Sequence, residues 1–535
     1  MLSGLAAVTG AVGLAVVAQW HHGSSPARRP AAVAAGLPPG ADPTTIASST
    51  TSIAGGAPTS NPPRQSSAAY GSVAPRSPAF VPSTAGPVAS SVVTMAPVCR
   101  ASEVCLNVLG DRLLGPEVHV AQGFIHGVDS STSPALVAAL QPRQWVLADN
   151  GDDAQQAQLA GASTTFLLDV AWDAETAPTN HGQPLAPWEH LDQYAAFVKR
   201  EVTTVEASGQ RIGYWQIQNE PDAPITPGGE SASTSQALDV FQTGVDGIRS
   251  VDPRARIVGP ALAAFNDQPS TSTRLDMVTF LDYVVAHNIR IDALSWHEVG
   301  KAANPVDLFP DPSSVVIHVQ RLRQLLAERP SVGRPAIIIN EYDSVADHLI
   351  PGWAVAWIDA LEQAGIDQAN RSCWHQPDVY GKMVSECTEG SVDGLFVPGS
   401  GLPEAIYNVH RAYAQMTGTR LVTSSTSPGV SLVASRDDGA GRLTVLVGRH
   451  ESCTAAVRVD CNEPASATPG PAAVLLVVQT PWTVSSVDVQ RVANIAGVAP
   501  VPQTVSHSSV GRGGSLGIPI PAFADGDAYV ITLTR

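Results

Sequence analysis

Residues 212–220 read IGYWQIQNE and residues 336–344 read AIIINEYDS. Both are short, largely apolar runs that close on an Asn-Glu pair, the pattern of a buried strand with a polar end. Working outward, six further runs have the same character: VHVAQGFIHG (118–127), QWVLADN (144–150), TTFLLDV (164–170), RIVGPALA (256–263), IDALSWHEV (291–299) and ANRSCWHQP (369–377). Longer amphipathic stretches alternate with them, among them WEHLDQYAAFVKREVTTVEA (188–207), SQALDVFQTGVDGIRSV (235–251) and SSVVIHVQRLRQLLAER (313–329). Strands alternating with helices predict βα units and a parallel sheet, and eight units in about 300 residues predict a (β/α)8 TIM barrel.

The rest of the chain reads differently. After Gly418 the helical period disappears, and β-rich runs such as RLTVLVGR (442–449) and AYVITLTR (528–535), separated by Gly, Pro and Asp, predict an all-β sandwich. Residues 2–20 carry no formal charge and predict an apolar leader, either a cleaved signal peptide or a retained membrane anchor. From His21 to Pro97 the sequence is dominated by Ala, Pro, Ser, Thr and Gly; such a segment buries too little apolar surface to offset its ordering entropy and predicts a disordered linker. The expected organisation is therefore leader 1–20, linker 21–97, catalytic barrel 98–418 and β-sandwich 419–535.

Of the 535 residues, 31 are Lys or Arg and 48 Asp or Glu, giving a formal charge of −17. Without clustered cations a phosphate-backbone partner is not expected, and no nucleic-acid partner is predicted. The six cysteines fall into neighbouring pairs, Cys99 with Cys105, Cys373 with Cys387, and Cys453 with Cys461, which predicts three short-loop disulfides and an oxidising compartment. The protein is expected to be secreted or held on the extracytoplasmic face of a membrane through residues 1–20.

Active sites of TIM barrels are built at the C-terminal ends of the strands. Here those ends carry Asn219-Glu220-Pro221 on the fourth run, Trp296-His297-Glu298 on the sixth, Asn340-Glu341-Tyr342 on the seventh and Trp374-His375 on the eighth. Two glutamates ending strands four and seven would face one another across the barrel mouth. That pair suits glycosidic bond cleavage, in which one carboxylate attacks the anomeric carbon while the other first donates and then removes a proton. A negative neighbour and partial desolvation would keep the acid protonated near neutral pH. Asn219 offers an amide to a sugar 2-hydroxyl, His297 a hydrogen bond to a carboxylate or sugar, and Trp215, Trp296 and Trp374 aromatic faces. Asp343, Glu298 and Asp378 make the surroundings acidic, but neither a metal nor another cofactor is expected.

The Asn-Glu-Pro ending the fourth run and the Glu ending the seventh resemble the clan A retaining glycoside hydrolases, and the chain is most similar to glycoside hydrolase family 39, the β-xylosidase and α-L-iduronidase family. Glu341-Tyr342-Asp343-Ser344 resembles the nucleophile segment of that family, and DGLFVPGSGLPEAIYNVHRAYAQM (393–416) its final loop and helix. The resemblance spans about residues 118–535. It implies Glu220 as acid/base, Glu341 as nucleophile, Asn219 as the 2-hydroxyl contact, and His297, His126, Trp296, Trp374 and Tyr342 as substrate contacts. The implied activity is retaining hydrolysis of extracellular or cell-wall glycans, with an oligosaccharide or polysaccharide as partner. A carbohydrate-binding barrel without turnover, or a transglycosylase using the same covalent intermediate, are the alternative readings. One departure is visible: many clan A members place an arginine near the end of strand two, whereas this run reads WVLADN with Arg143 before it. Either another group orients the nucleophile or the pocket differs.

Overall fold

The computed structural model describes residues 94–95, 99–125, 127–148, 151–176, 184–223, 232–268, 274–300, 312–344, 348–372, 390–397, 399–451, 472–499 and 501–535. The expected leader, nearly all of the expected linker, His126, Trp374 and four cysteines (Cys373, Cys387, Cys453 and Cys461) lie outside them.

Eight parallel strands close into a barrel in chain order: Gly123–Phe124, Gln144–Leu147, Ser163–Leu167, Ile212–Gln216, Ile257–Leu262, Ala293–Gly300, Ala336–Ser344 and Gln368–Arg371. Each falls within or overlaps one of the eight runs read from the sequence. Closure is made by Asn370 pairing with Gly123. The glycine is needed there, because a Cβ at position 123 would run into the Asn370 side chain and the Ala369 carbonyl.

Helices shield the barrel from outside. Thr234–Val251 starts at a reciprocal cap in which Ser233 and Gln236 each bond the other's backbone N–H. It buries Leu238, Phe241, Val245 and Ile248, with Phe241 edge-on to Phe280 at 4.9 Å. Truncating Phe241 to alanine would cost about 3–5 kcal/mol, the usual loss for an aromatic side chain in a packed core.

The second layer of the molecule is the expected β-sandwich, with one correction to its boundary. Val104–Pro116, which the sequence reading placed in the barrel segment, pairs antiparallel with Thr419–Ser425 and parallel with Val474–Val478. The strand Ala472–Val492 runs through both halves of the sandwich: its first part pairs with Val104–Val108 and its second, Ser486–Val492, with Ala528–Thr534. A register break between Thr480 and Val484 turns it from one to the other. Cys99 and Cys105 form the expected disulfide at the start of the 104–116 strand.

Helix Pro351–Ala364 lies between barrel and sandwich. Gly352 donates its N–H to the Gly526 carbonyl at 2.8 Å, and any side chain on Gly352 would collide with the Arg449 carbonyl. At the far end of the helix, Glu362 accepts hydrogen bonds from Arg420 of the sandwich and the Tyr413 hydroxyl. Glu117, which follows the 104–116 strand, sits against this group. Burial and the neighbouring Glu362 charge push its carboxyl up to about 8, with Arg420 opposing. Folding therefore binds a proton at Glu117 in the interval between its ordinary value of 4.5 and about 8. A raised acid contributes stability that is fully present below the lower value and lost as pH rises through the upper one. Thermal unfolding of the full chain should show stability falling between about pH 5 and pH 8, and Glu117→Gln should flatten that slope. Identical slopes for the two proteins would contradict this account of the junction.

Candidate active site

The fourth, sixth and seventh strands bring Glu220, His297 and Glu341 together. Glu220 follows the fourth strand on a turn whose backbone is clamped at several points. The Asn219 N–H donates to the Asp169 carboxylate at the end of the third strand, and the Glu220 N–H donates to the Ala261 carbonyl at 2.9 Å. The Ala263 N–H donates to Asp222 Oδ1 at 2.8 Å. Within this clamp Glu220 takes φ +47°, the left-handed region. Its side chain remains 20% exposed, whereas that of Glu341 is 4% exposed.

His297 sits between the two carboxyl groups. Its Nδ1 lies 2.9 Å from Glu220 Oε1 and 3.1 Å from Glu341 Oε2. A carboxyl oxygen of each glutamate and the imidazole nitrogen all lie within 4.8 Å of one another. On the other side of the ring, Asn340 Nδ2 lies 3.1 Å from His297 Nε2 and 3.1 Å from Gln216 Oε1. Two consecutive residues of one strand, Asn340 and Glu341, thus reach the same imidazole, which an unbroken pleat does not permit because neighbouring side chains point to opposite faces. A bulge is the reason. Trp296 pairs with Ile339 and His297 with Glu341, leaving Asn340 as the extra residue, and the eighth strand skips there too, with Ala369 opposite Ile339 and Arg371 opposite Tyr342.

The amide orientations fix the proton on the ring. Gln216 Nε2 donates to the Gln218 carbonyl and to Asn219 Oδ1, each at 3.1 Å, so Gln216 Oε1 faces Asn340 as an acceptor. Asn340 must present its NH2 to that oxygen, and the same nitrogen faces His297 Nε2. Nε2 is then an acceptor, and the ring proton resides on Nδ1, directed at the two carboxyl groups. Glu220, His297 and Glu341 also match the donor set of a cation site. A proton on Nδ1, however, makes the carboxylates its acceptors rather than co-ligands with it.

Nearby acids are strongly perturbed. Burial pushes Asp169 up to about 7 against the hydrogen bonds it accepts from Asn219 and Val170, and burial together with Asp169 pushes Asp173 up to about 8. These two line a pocket beside the acid turn with Trp188, Gln218 and Pro221.

Of the residues read from the sequence, Glu220, Glu341, Asn219 and His297 converge. Three do not offer what was expected. Trp296 is fully buried, on the opposite side of its strand from His297, packed against Phe265 at 5.1 Å with its Nε1–H on Glu298. Tyr342 is buried against Trp357, and its hydroxyl donates to the Ala121 carbonyl at 2.9 Å. Neither leaves a ring face for a sugar, and Trp215 is likewise in the core beside Phe166. His126 and Trp374 lie outside the described residues. The reading missed Gln216, Asn340 and Asp169 as members of the site, although each is a polar residue in an otherwise apolar run. The group that reaches Glu341 is His297, through Nδ1, while Arg371 of the eighth strand pairs with Asp343.

The left-handed turn predicts a measurable penalty. For a residue with a Cβ this conformation costs roughly 1–2 kcal/mol relative to the right-handed helix, a cost glycine escapes. Glu220→Gly should therefore be more stable than Glu220→Ala by about 1 kcal/mol, read from denaturant midpoints. An alanine variant more stable than the glycine one, as at ordinary positions, would contradict the clamped geometry.

No family model matches the chain, and no curated protein matches it in sequence. Solved structures match it by shape. A protein of Neocallimastix frontalis aligns with TM-score 0.61 at 19% identity, over 81% of this chain and 100% of its own. A glucosidase from Croceicoccus marinus aligns with TM-score 0.57 at 15% identity, over 81% and 99%. The glycoside hydrolase family 39 enzyme from Xanthomonas axonopodis pv. citri aligns with TM-score 0.55 at 13% identity, over 82% and 98%. In fold, the chain, a closed (β/α)8 barrel carrying a β-sandwich, resembles these solved structures, a glycoside hydrolase family 39 enzyme among them.

Proposed function

We propose that the protein is a retaining glycoside hydrolase, with Glu341 as nucleophile and Glu220 as acid/base. The observation that carries this reading is the pair of carboxyl groups held by one imidazole N–H. Retaining enzymes place their carboxyl groups about 5–5.5 Å apart, and inverting enzymes about 6.5–9.5 Å to admit a water. Here one oxygen of Glu220 and one of Glu341 lie within 4.8 Å of each other and against the same imidazole nitrogen, which supports a closely spaced pair rather than one parted by a water. In the first step a Glu341 oxygen bonds the anomeric carbon, the glycosidic C–O bond breaks, and the leaving oxygen takes the proton of Glu220. In the second, Glu220 removes a proton from water, whose oxygen displaces Glu341 from the sugar and regenerates its carboxylate. The Nδ1–H of His297 suits both steps: it supports the Glu341 charge at rest, and the Glu220 charge once Glu341 is esterified. Asn219, whose Oδ1 is occupied by Gln216, has its NH2 left for a sugar 2-hydroxyl.

The substrate class we propose is an extracellular or cell-wall oligosaccharide or polysaccharide. The glycosidase fold of the structural neighbours supports a carbohydrate, and the Cys99–Cys105 disulfide supports export or anchoring outside the cytoplasm.

A panel of aryl glycosides tests the roles. Glu341→Gln should abolish turnover for every leaving group, because the attacking charge is lost. Glu220→Gln should spare the first step for dinitrophenyl glycosides but lower turnover of poor leaving groups by about 10²–10⁴-fold, the usual worth of general acid catalysis, and azide should restore its slow second step. Equal losses in both variants across all leaving groups would reject the assignment.

A further inference from the structure

We propose that Gln216 and Asn340 are positioning residues: an amide relay that holds His297 as the neutral Nδ1–H tautomer and thereby lets Glu220 keep the proton it must deliver. The inference rests on the retaining reading above and deepens it, assigning roles to two side chains that would touch no substrate.

The relay starts from a group with no choice. The Gln218 carbonyl can only accept, so the Gln216 amide nitrogen must face it at 3.1 Å. Gln216 Oε1 then selects the NH2 of Asn340, and Asn340 Nδ2 selects the lone pair of His297 Nε2. Every member is shielded: Gln216 is fully buried, Asn340 is 3% exposed and His297 1%. In such surroundings a reversed amide would set oxygen against oxygen, a cost of about 1–3 kcal/mol for each buried group left unsatisfied. The Asn340 bulge has no other evident use among the described residues, since it removes a rung of pairing on both sides of the seventh strand to aim this one amide.

The chemical consequence concerns a second ring proton. Among the described residues, the acidic groups facing His297 include Glu220, Glu341 and Asp169. Surrounded by them, an imidazole free to take a proton on Nε2 would become a cation. An imidazolium beside Glu220 favours its carboxylate form and so opposes its task as an acid. Asn340 blocks that state by placing a donor where the second N–H would point. Protonating the ring requires this hydrogen bond to be broken.

Two measurements test the relay. In the full chain labelled with ring-15N histidine, the His297 signal, identified by its loss in His297→Gln, should show a protonated Nδ1 and an unprotonated Nε2 near neutral pH. A protonated Nε2 would overturn the proposal, and because this readout needs no substrate it stands apart from the success or failure of the glycosidase reading. Asn340→Asp replaces the donor with an acceptor and should produce the imidazolium. With aryl glycosides, kcat/KM for poor leaving groups should then fall by at least about 100-fold, while dinitrophenyl glycosides should lose less than about 10-fold. The alkaline limb of the pH profile should move to lower pH. A uniform loss for all leaving groups with an unmoved limb would mean that Asn340 is merely structural and would overturn the relay. Should Asn340→Asp fail to fold, the tautomer in the unmodified protein still decides.

Discussion

The Gln218 carbonyl accepts hydrogen bonds and cannot donate them, and the geometry of the site follows from that constraint. It orients Gln216, which orients Asn340, which leaves His297 with one N–H to share between Glu220 and Glu341. The same Gln216 amide bonds the Asn219 side chain, so the candidate sugar contact and the two candidate catalytic groups belong to one connected network. Because Gln216, Asn340 and His297 are buried, a fault at any of these three leaves an unsatisfied polar group rather than one rescued by water. Such a network specifies one arrangement of the barrel mouth.

Two departures from regular backbone make the network possible, and both lie at strand ends. The bulge at Asn340 lets consecutive residues face inward, and the left-handed turn at Glu220 brings its carboxyl back toward His297. Each is held from outside the strand that carries it. The turn is fixed by Asp169, two residues past the third strand, and by Ala261 in the fifth strand and Ala263 just after it. Local strain of this kind persists only where surrounding structure over-determines it, and it concentrates at functional sites. The barrel supplies that surrounding structure: helices such as Thr234–Val251 hold the strand ends in place through packing that is independent of the polar groups they carry.

The barrel was legible in the sequence because its strands are buried on both faces and therefore read as apolar runs punctuated by amphipathic helices. The strand-ending glutamates were legible for a related reason, since a charged residue closing such a run has to emerge at an end of the barrel. The sandwich strand Val104–Pro116 was not, because its partners Thr419–Ser425 and Val474–Val478 lie more than three hundred residues later and nothing local announces the pairing. The side on which each aromatic points was also hidden. Trp296 and Tyr342 adjoin inward residues in sequence, and the strand pleat turns them away, into the packing against Phe265 and Trp357. Asn340 escapes that alternation only through a bulge, a feature of pairing with neighbouring strands rather than of composition. A polar residue inside an apolar run, as at Gln216, was the one available signal of the network.

A double displacement by Glu341 and Glu220 fixes the stereochemistry of the first-formed product. Proton NMR of the hydrolysis of an aryl glycoside by the full-length protein, recorded before mutarotation, reports the anomer released. Double displacement requires that the new reducing sugar have the anomeric configuration of the substrate. Release of the opposite anomer would mean that water attacks directly, and would contradict the assignment of Glu341 as nucleophile.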